Sequence, residues 1–286
     1  MKITGVRTVP VWGRRRRPYG AVTRTALGPA AISDYTIVFV DTDKGITGIG
    51  EVCSVFKRRG ALLRSDIDHA LAPAMKGEDP CRIAHLVRKL DQTLDGVEEA
   101  KAGIEMALWD ILGKELNVPV YTLLGGKVRD RIPLSYSIPF GTPEQMAGFA
   151  VERVKAGHRT IKVKVGSEDG RRDVAAVRAI RDAIGTDVKL RVDGNMGWPN
   201  AKHAIRMIRQ MEAYDIELVE QPLAAQDLDG MAEVRENIGV PLMADESIRN
   251  PQSAMAVIRR KAADIANVYV TEAGGLFNAS RIFAMC

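Results

Sequence analysis

The sequence predicts an α/β protein in which a parallel, barrel-type sheet follows an N-terminal α+β region. Three observations predict it. From about Ile132 onward, strand-like and helix-like segments alternate. Charged residues recur along that stretch at near-regular intervals: Lys162 and Lys164, then Asp193, Glu220 and Asp245, with gaps of 29, 27 and 25 residues. Those gaps approach the roughly 31 residues per βα unit of a ~250-residue, eight-stranded barrel, whose functional groups gather at the C-terminal ends of the strands. Before Ile132 the order differs, with strands first and helices after, as in a separate α+β unit.

Ile3 to Val11 reads as a strand, and Tyr35 to Val40 and Ile46 to Val52 flank the turn DTDKG as a hairpin. Helical patterns cover Leu62 to Met75, Cys81 to Leu94 and Ala100 to Leu116, and Asp79-Pro80 suits a helix start between the first two. After NVP, the stretch YTLLGGKVRDR leads into the alternating region, so the expected division is 1–128 and 129–286. The strands there are IPLSYSI, TIKVKVG, VKLRVDGN, IELVEQP, VPLMADES and ADIANVYV, and the helices between them imply right-handed crossovers and a parallel sheet. NASRIFAMC begins the helix after the sixth strand. A closed barrel needs two more βα units, and an open six-stranded sheet would expose two edges. The expectation is a longer enzyme whose last strands are missing from this chain, with an open sheet as the alternative.

Composition narrows the function classes. The net charge is +5, but Arg14, Arg15, Arg16 and Arg17 supply four of those charges, so a general nucleic-acid surface is not expected. Cys53, Cys81 and Cys286 show no CxxC spacing, which argues against a zinc site or disulfide framework and fits a reduced, cytoplasmic setting. MKITGVRTVPVWGRRRR lacks the order of a signal peptide, and no run of 18 apolar residues predicts a membrane span.

Alternation along a strand puts Lys162 and Lys164 on one face and Ile161, Val163 and Val165 on the other. The helix-covered face of such a sheet is apolar, so the lysines are expected to point into the mouth. Two ammonium groups beside a dication would lower each other's pKa toward that of a useful base, although KVK alone also reads as a pair of snorkelling lysines. Asp193, Glu220 and Asp245 each end an apolar strand. Any one of them alone reads as a helix cap. Three converging carboxylates repel one another, and Mg²⁺, which prefers oxygen ligands, resolves the conflict. Glu246 should face away from Asp245 and at most support the ligands from behind. Asn195 could fix a ligand carboxylate, contact substrate or simply serve a turn. His69, His85, His158 and His203 read as surface or helix residues.

The set KVK, DGN, EQP and ADES, with Gly274-Gly275 and the segment AKAGIEMALWDILGKELNVPVYTLLGG (Ala100 to Gly126), resembles the enolase superfamily, specifically its mandelate racemase/muconate lactonizing enzyme group. The resemblance runs from the first residue to the last. It implies an N-terminal α+β capping domain over a modified (β/α)7β TIM-type barrel, and Mg²⁺ on Asp193, Glu220 and Asp245. It also implies Lys164 as general base, with Lys162 assisting electrostatically. The substrate would be a small-molecule carboxylate that loses its alpha proton through an ene-diolate. A homo-oligomer, often an octamer, is implied as well.

One position departs from the pattern. Muconate lactonizing enzyme relatives place a second lysine five residues before the GG pair, where this chain has Tyr269. Mandelate racemase relatives use an Asp there with a His on the seventh strand. A tyrosine of ordinary pKa near 10 is a poor base, though it can donate a proton or merely fill space. One-base chemistry is therefore expected: a dehydratase or cycloisomerase of a polar carboxylic acid. The alternatives are a racemase or epimerase, and a catalytically silent or truncated homologue that only binds metal or subunits. Segments Gly13 to Ser33 and Cys53 to Arg59 match in position the family's substrate-covering loops. Arg17, Tyr19 and Arg24 are candidates there for holding a second carboxylate or a polyol, unless the run is simply solvated.

Overall fold

The computed structural model describes residues 1–14, 23–25, 28–30, 32–53 and 60–286. The first strand, β1 (Ile3–Arg14), is followed by the short β2 (Thr23–Thr25) and β3 (Gly28–Ala30), then by β4 (Ile32–Thr42) and β5 (Thr47–Cys53). An antiparallel sheet has the order β1-β4-β5, and β2 pairs with β3. The expected hairpin is β4–β5, closed where Asp41 pairs with Thr47 and Gly45 takes φ 74 in the turn. A helical stretch then runs through α1 (Gly60–Asp66), a π turn (Ile67–Leu71) and α2 (Ala72–Met75). The helices α3 (Ile83–Thr93), α4 (Glu98–Leu116) and α5 (Val120–Leu123) complete the unit. Alternate residues of β5 are buried, and α4 lies directly on them. A side chain at Gly48 or Gly50 would collide with the α4 backbone at Ala107 or Gly103, so the glycines of GITGIGEV set the closeness of helix and sheet.

The second unit alternates as expected. Its strands are β6 (Ser135–Ile138), β7 (Thr160–Lys164), β8 (Lys189–Asp193), β9 (Ile216–Glu220), β10 (Leu242–Ala244) and β11 (Ile265–Ala266). They form one six-stranded sheet in sequence order, parallel at every pairing. The helices are α6 (Pro143–Lys155), α7 (Gly170–Ile184), α8 (Ala201–Glu212), α9 (Leu228–Glu236), α10 (Pro251–Arg260) and α11 (Leu276–Met285). Five of them start on side-chain caps. Thr142 and Asn250 form capping boxes with Gln145 and Ser253, while Asp169, Asn200 and Asp227 cap α7, α8 and α9. Apolar strand residues such as Ile161, Val163, Leu190, Val192 and Val219 pack beneath these helices in a core distinct from that of the first unit. No helix among the described residues is long and apolar enough to cross a membrane.

The sixth strand is shorter than ADIANVYV suggested. Pairing is confined to Ile265 and Ala266, opposite Met243 and Ala244 of the three-residue β10. Beyond it, Asn267 N donates to Ala244 O and the backbone then turns through Val270–Gly275. Tyr269 therefore lies past the strand.

Glu105 joins the two units. It is fully buried in α4 and accepts from Trp109 Nε1 at 2.6 Å, Phe277 N at 2.7 Å and Leu276 N at 2.8 Å. The last two are otherwise unpaired donors at the start of α11, where a helix favours a negative charge. Gly275, at φ 113, lies so close that a Cβ there would collide with the Glu105 carboxylate. The helix segment and the GG pair, far apart in sequence, are thus two sides of one contact. Burial pushes the Glu105 carboxyl above its usual pKa, against the pull of its three donors. Glu105→Ala strands those donors and should lower the unfolding free energy by on the order of 3 kcal/mol. Urea unfolding measures it, and a loss below about 1 kcal/mol would show that the contact does not bind the units together.

Candidate active site

Parallel pairing brings the charged strand ends into line. Lys164 pairs with Asp193, Asp193 with Glu220, and Glu220 with Met243, two residues before Asp245. The pleat does the rest. Ile161, Val163 and Val165 are fully buried, while Lys162 and Lys164 project from the opposite face of β7.

Lys162 Nζ bonds to Asp193 Oδ2 at 2.9 Å and to both carboxylate oxygens of Glu220 at 3.0 Å. Lys164 Nζ bonds to the same Asp193 Oδ2 at 2.5 Å. Asp193 Oδ1 accepts from Asn195 N at 2.9 Å, and Asn195 Nδ2 donates to Glu246 Oε1 at 2.9 Å. Asn195 therefore combines two of its expected roles: a turn residue at φ 42 and a brace between two carboxylates. Glu246 is only 1% exposed, so it belongs to the buried cluster, and its Oε2 has no partner.

Sequence reasoning missed three contributors. Gln221 is fully buried; its Oε1 accepts from Asp245 N and Ser247 N, and its Nε2 donates to Ser247 Oγ. Asn267 Nδ2 donates to Asp245 Oδ1 at 3.0 Å. Glu272 is 4% exposed, and its Oε1 also lacks a partner. An amide following Glu220 and an acid two residues before the GG pair were the available signals.

The expected fall in the lysine pKa values is corrected for Lys162. Burial works against its ammonium, but Asp193 and Glu220 outweigh that and hold the pKa well above the usual lysine range. The lysines meet carboxylates rather than each other, so attraction replaces the repulsion that was anticipated. Burial opposes the charge on Asp193 too, and there Lys164 and Lys162 prevail and hold it below the usual carboxylate range. The remaining acids go the other way. Burial, then the charge of Asp193, pushes Glu220 up to about 8 and Glu246 up to about 7. Burial with Glu246 pushes Asp245 up to about 6, and burial with Asp245 pushes Glu272 up to about 8. Tyr269, 38% exposed, is likewise pushed up to about 12 by burial and by Asp245.

Five buried carboxylates thus share two ammonium groups, and the cluster is short of positive charge. A hard dication would supply it, and the all-oxygen donor set suits magnesium. The ligands do not stand ready as a cage. Among the described residues, no three His, Cys, Asp or Glu side chains are gathered around a metal position. The hydrogen bonds show why: Asp193 and Glu220 are engaged by the lysines, and Asp245 by Asn267.

Arg17 and Tyr19 lie outside the described residues, and Arg24 is described only as part of the β2 backbone. His69 and His85 are exposed, and His158 and His203 are half-buried away from the cluster.

Residues 3–125 match the family model for the mandelate racemase/muconate lactonizing enzyme N-terminal domain, and residues 145–286 match the enolase C-terminal domain-like model. The chain is 33% identical to the N-succinyl-L-Arg/Lys racemase of Bacillus cereus, over 99% of its own length and 76% of the relative's. It is 36% identical to the L-Ala-D/L-Glu epimerase of Bacillus subtilis, over 100% and 78%. Against muconate cycloisomerase 1 of Acinetobacter baylyi the identity is 31%, over 86% and 68%. The crystal structure of a dipeptide epimerase from Enterococcus faecalis, complexed with Mg and the dipeptide L-Leu-L-Tyr, superimposes with a TM-score of 0.94 at 32% identity, covering 100% of this chain and 79% of that one.

Glu272 provides a check on the charge deficit. A free glutamate titrates near 4.3, whereas the fold holds Glu272 near 8. The folded state therefore favours the protonated carboxyl, and that stability is lost as pH rises through about 8. In metal-free protein, Glu272→Gln should gain in melting temperature over the unsubstituted chain progressively between about pH 5 and 8. A gap that stays constant with pH would contradict the buried, uncompensated carboxyl.

Proposed function

The chain belongs to the mandelate racemase/muconate lactonizing enzyme family, and from that premise we propose that it removes the proton alpha to a substrate carboxylate as a racemase or epimerase of an N-substituted amino acid or dipeptide. The observation that carries this reading is the pairing of Lys164 and Lys162 with one buried carboxylate, Asp193, at in-register strand ends. The named activities of the racemase and epimerase relatives support the substrate class. They weigh toward epimerisation over the dehydratase or cycloisomerase expected from the sequence.

Each side chain has a task in this reading. Lys164 takes the alpha proton once its bond to Asp193 is released, because only the neutral amine is a base. Lys162, held cationic by Asp193 and Glu220, contributes fixed positive charge beside the developing negative charge. Magnesium held by Asp193, Glu220 and Asp245 would supply Lewis-acid stabilisation of that charge. Gln221 and Asn267 keep Asp245 in place, and Asn195 ties Asp193 to Glu246.

Tyr269 favours a second reading. With its pKa pushed up to about 12, the phenol stays protonated at neutral pH, so it is not available as a base and can serve only as a hydrogen-bond or weak proton donor. That suits chemistry on one face of the substrate, such as loss of water or ring closure.

Deuterium exchange at the alpha carbon of N-succinyl amino acids and dipeptides, in D₂O with Mg²⁺, tests the proposal. Exchange with inversion, followed by chiral chromatography, is the expected result. Exchange with retained configuration would select the one-face reading, and no exchange across the panel would overturn both. Lys164→Ala should slow exchange by about 10²–10⁴-fold. Asp193→Asn should weaken Mg²⁺ binding in calorimetry, and unchanged affinity would remove Asp193 from the ligand set.

A further inference from the structure

Glu272 has no task in the proton transfer described above, yet the fold buries it at the site. It sits in the turn Val270–Gly275 that follows the C-terminal end of β11, the same end of the sheet at which Lys164, Asp193 and Glu220 line up. Asp245, Arg249, Glu99 and Glu246 all lie within its electrostatic reach. It is 4% exposed, and Oε1 has no hydrogen-bond partner. A buried carboxylate left unpaired is among the costliest groups a fold can carry. A ligand group that donates to Oε1 would complete it.

Two further buried atoms at this site lack partners: Asn195 Oδ1 and Glu246 Oε2. All three unmet atoms are acceptors. Nearby donors are already engaged, since Lys162 and Lys164 are held by Asp193 and Glu220, and Asn195 Nδ2 by Glu246. The charge balance points the same way. Burial and neighbouring acids push Glu246 up to about 7 and Glu272 up to about 8, so both carboxyls ionise readily only beside added positive charge. Arg249 favours the charged form of Glu272 and Glu99 opposes it, yet burial and the acids prevail and Oε1 stays without a hydrogen bond. The carboxylate of a bound substrate deepens the deficit. What fits is a ligand bearing both positive charge and N–H donors.

We infer that Glu272 determines specificity by holding a cationic group of the substrate, an ammonium or guanidinium remote from its alpha carboxylate, with Glu246 reinforcing the field. The inference deepens the proposed function and rests on it in taking the ligand to be a carboxylate bound in this mouth. A charge-assisted hydrogen bond to Oε1 then satisfies the orphan acceptor and offsets the excess negative charge in one contact. A ligand with a neutral side chain leaves both unmet.

Calorimetry on the full chain with Mg²⁺ tests this without turnover. The probes are N-acetyl-L-lysine and N-acetyl-L-2-aminoheptanoate, in which a methyl group replaces the ammonium. The chain should bind the lysine derivative tighter by about tenfold or more, and Glu272→Gln should bring the two within about twofold. The glutamine variant should also melt no lower than the unsubstituted protein, whereas a residue retained for structure would destabilise on substitution. Equal affinities for the two probes in the unsubstituted chain would overturn the inference, as would a preference that survives in Glu272→Gln. So would a variant that binds both probes as before but loses alpha-proton exchange, because Glu272 would then be a proton-transfer group. If the variant does not fold, the affinity ratio of the unsubstituted chain decides, together with its fall at high salt. The exchange assay above is separate. Absent exchange with a strong cation preference would sink proton abstraction and leave the role of Glu272 standing.

Discussion

The register of the parallel sheet is the constraint on which everything else depends. Pairing Lys164 with Asp193 and Asp193 with Glu220 sets side chains from three βα units side by side at one end of the strands. Because the pleat has period two, a slip of one residue would turn Lys162 and Lys164 into the apolar layer and bring Ile161 and Val163 into the mouth. That apolar layer resists the slip, since Ile161, Val163, Leu190, Val192 and Val219 are fully buried in it. Hydrophobic packing on one face thus positions the charges on the other.

Electrostatics then shapes what the aligned residues are. Asp193 is stabilised as an anion by two ammonium groups, while its neighbours Glu220, Asp245 and Glu246 resist ionisation. The same carboxylate that suits a metal is, in this arrangement, a clamp on the candidate base. In the proposed function, uptake of a dication and release of Lys164 would be linked, because both would draw on Asp193. The braces around the cluster, Gln221 and Asn267 on Asp245 and Asn195 on Glu246, keep the acids from relaxing away from one another.

The two units meet at a buried carboxylate. Glu105 satisfies the first donors of α11, and α11 follows directly on the turn that carries Glu272. The position of the turn, and of the acid in it, is tied to the helix of the N-terminal unit. This contact also explains why two separated stretches of sequence carried the family likeness: the GG pair leaves the space that the Glu105 side chain occupies.

Much of this was legible in the residues. Every strand of the parallel sheet, the helices between them and the β4–β5 hairpin follow from periodicity, turn chemistry and caps, which act over a few residues. So does the facing of Lys162 and Lys164, which alternation alone decides. The end of the sixth strand was not legible, because it is set by the short β10 against which it pairs. The state of Lys162 was not legible either, since its pKa reports the distance to carboxylates contributed by two other strands. Nor could local sequence single out Gln221, Asn267 or Glu272, ordinary polar residues until the fold buries them against the cluster. The sequence by itself determined which residues form each element and which face each presents, because those follow from contacts between near neighbours along the chain. Only the tertiary structure decided which charges meet and how they titrate, because burial and Coulomb interactions depend on distances across strands that no spacing in the chain specifies.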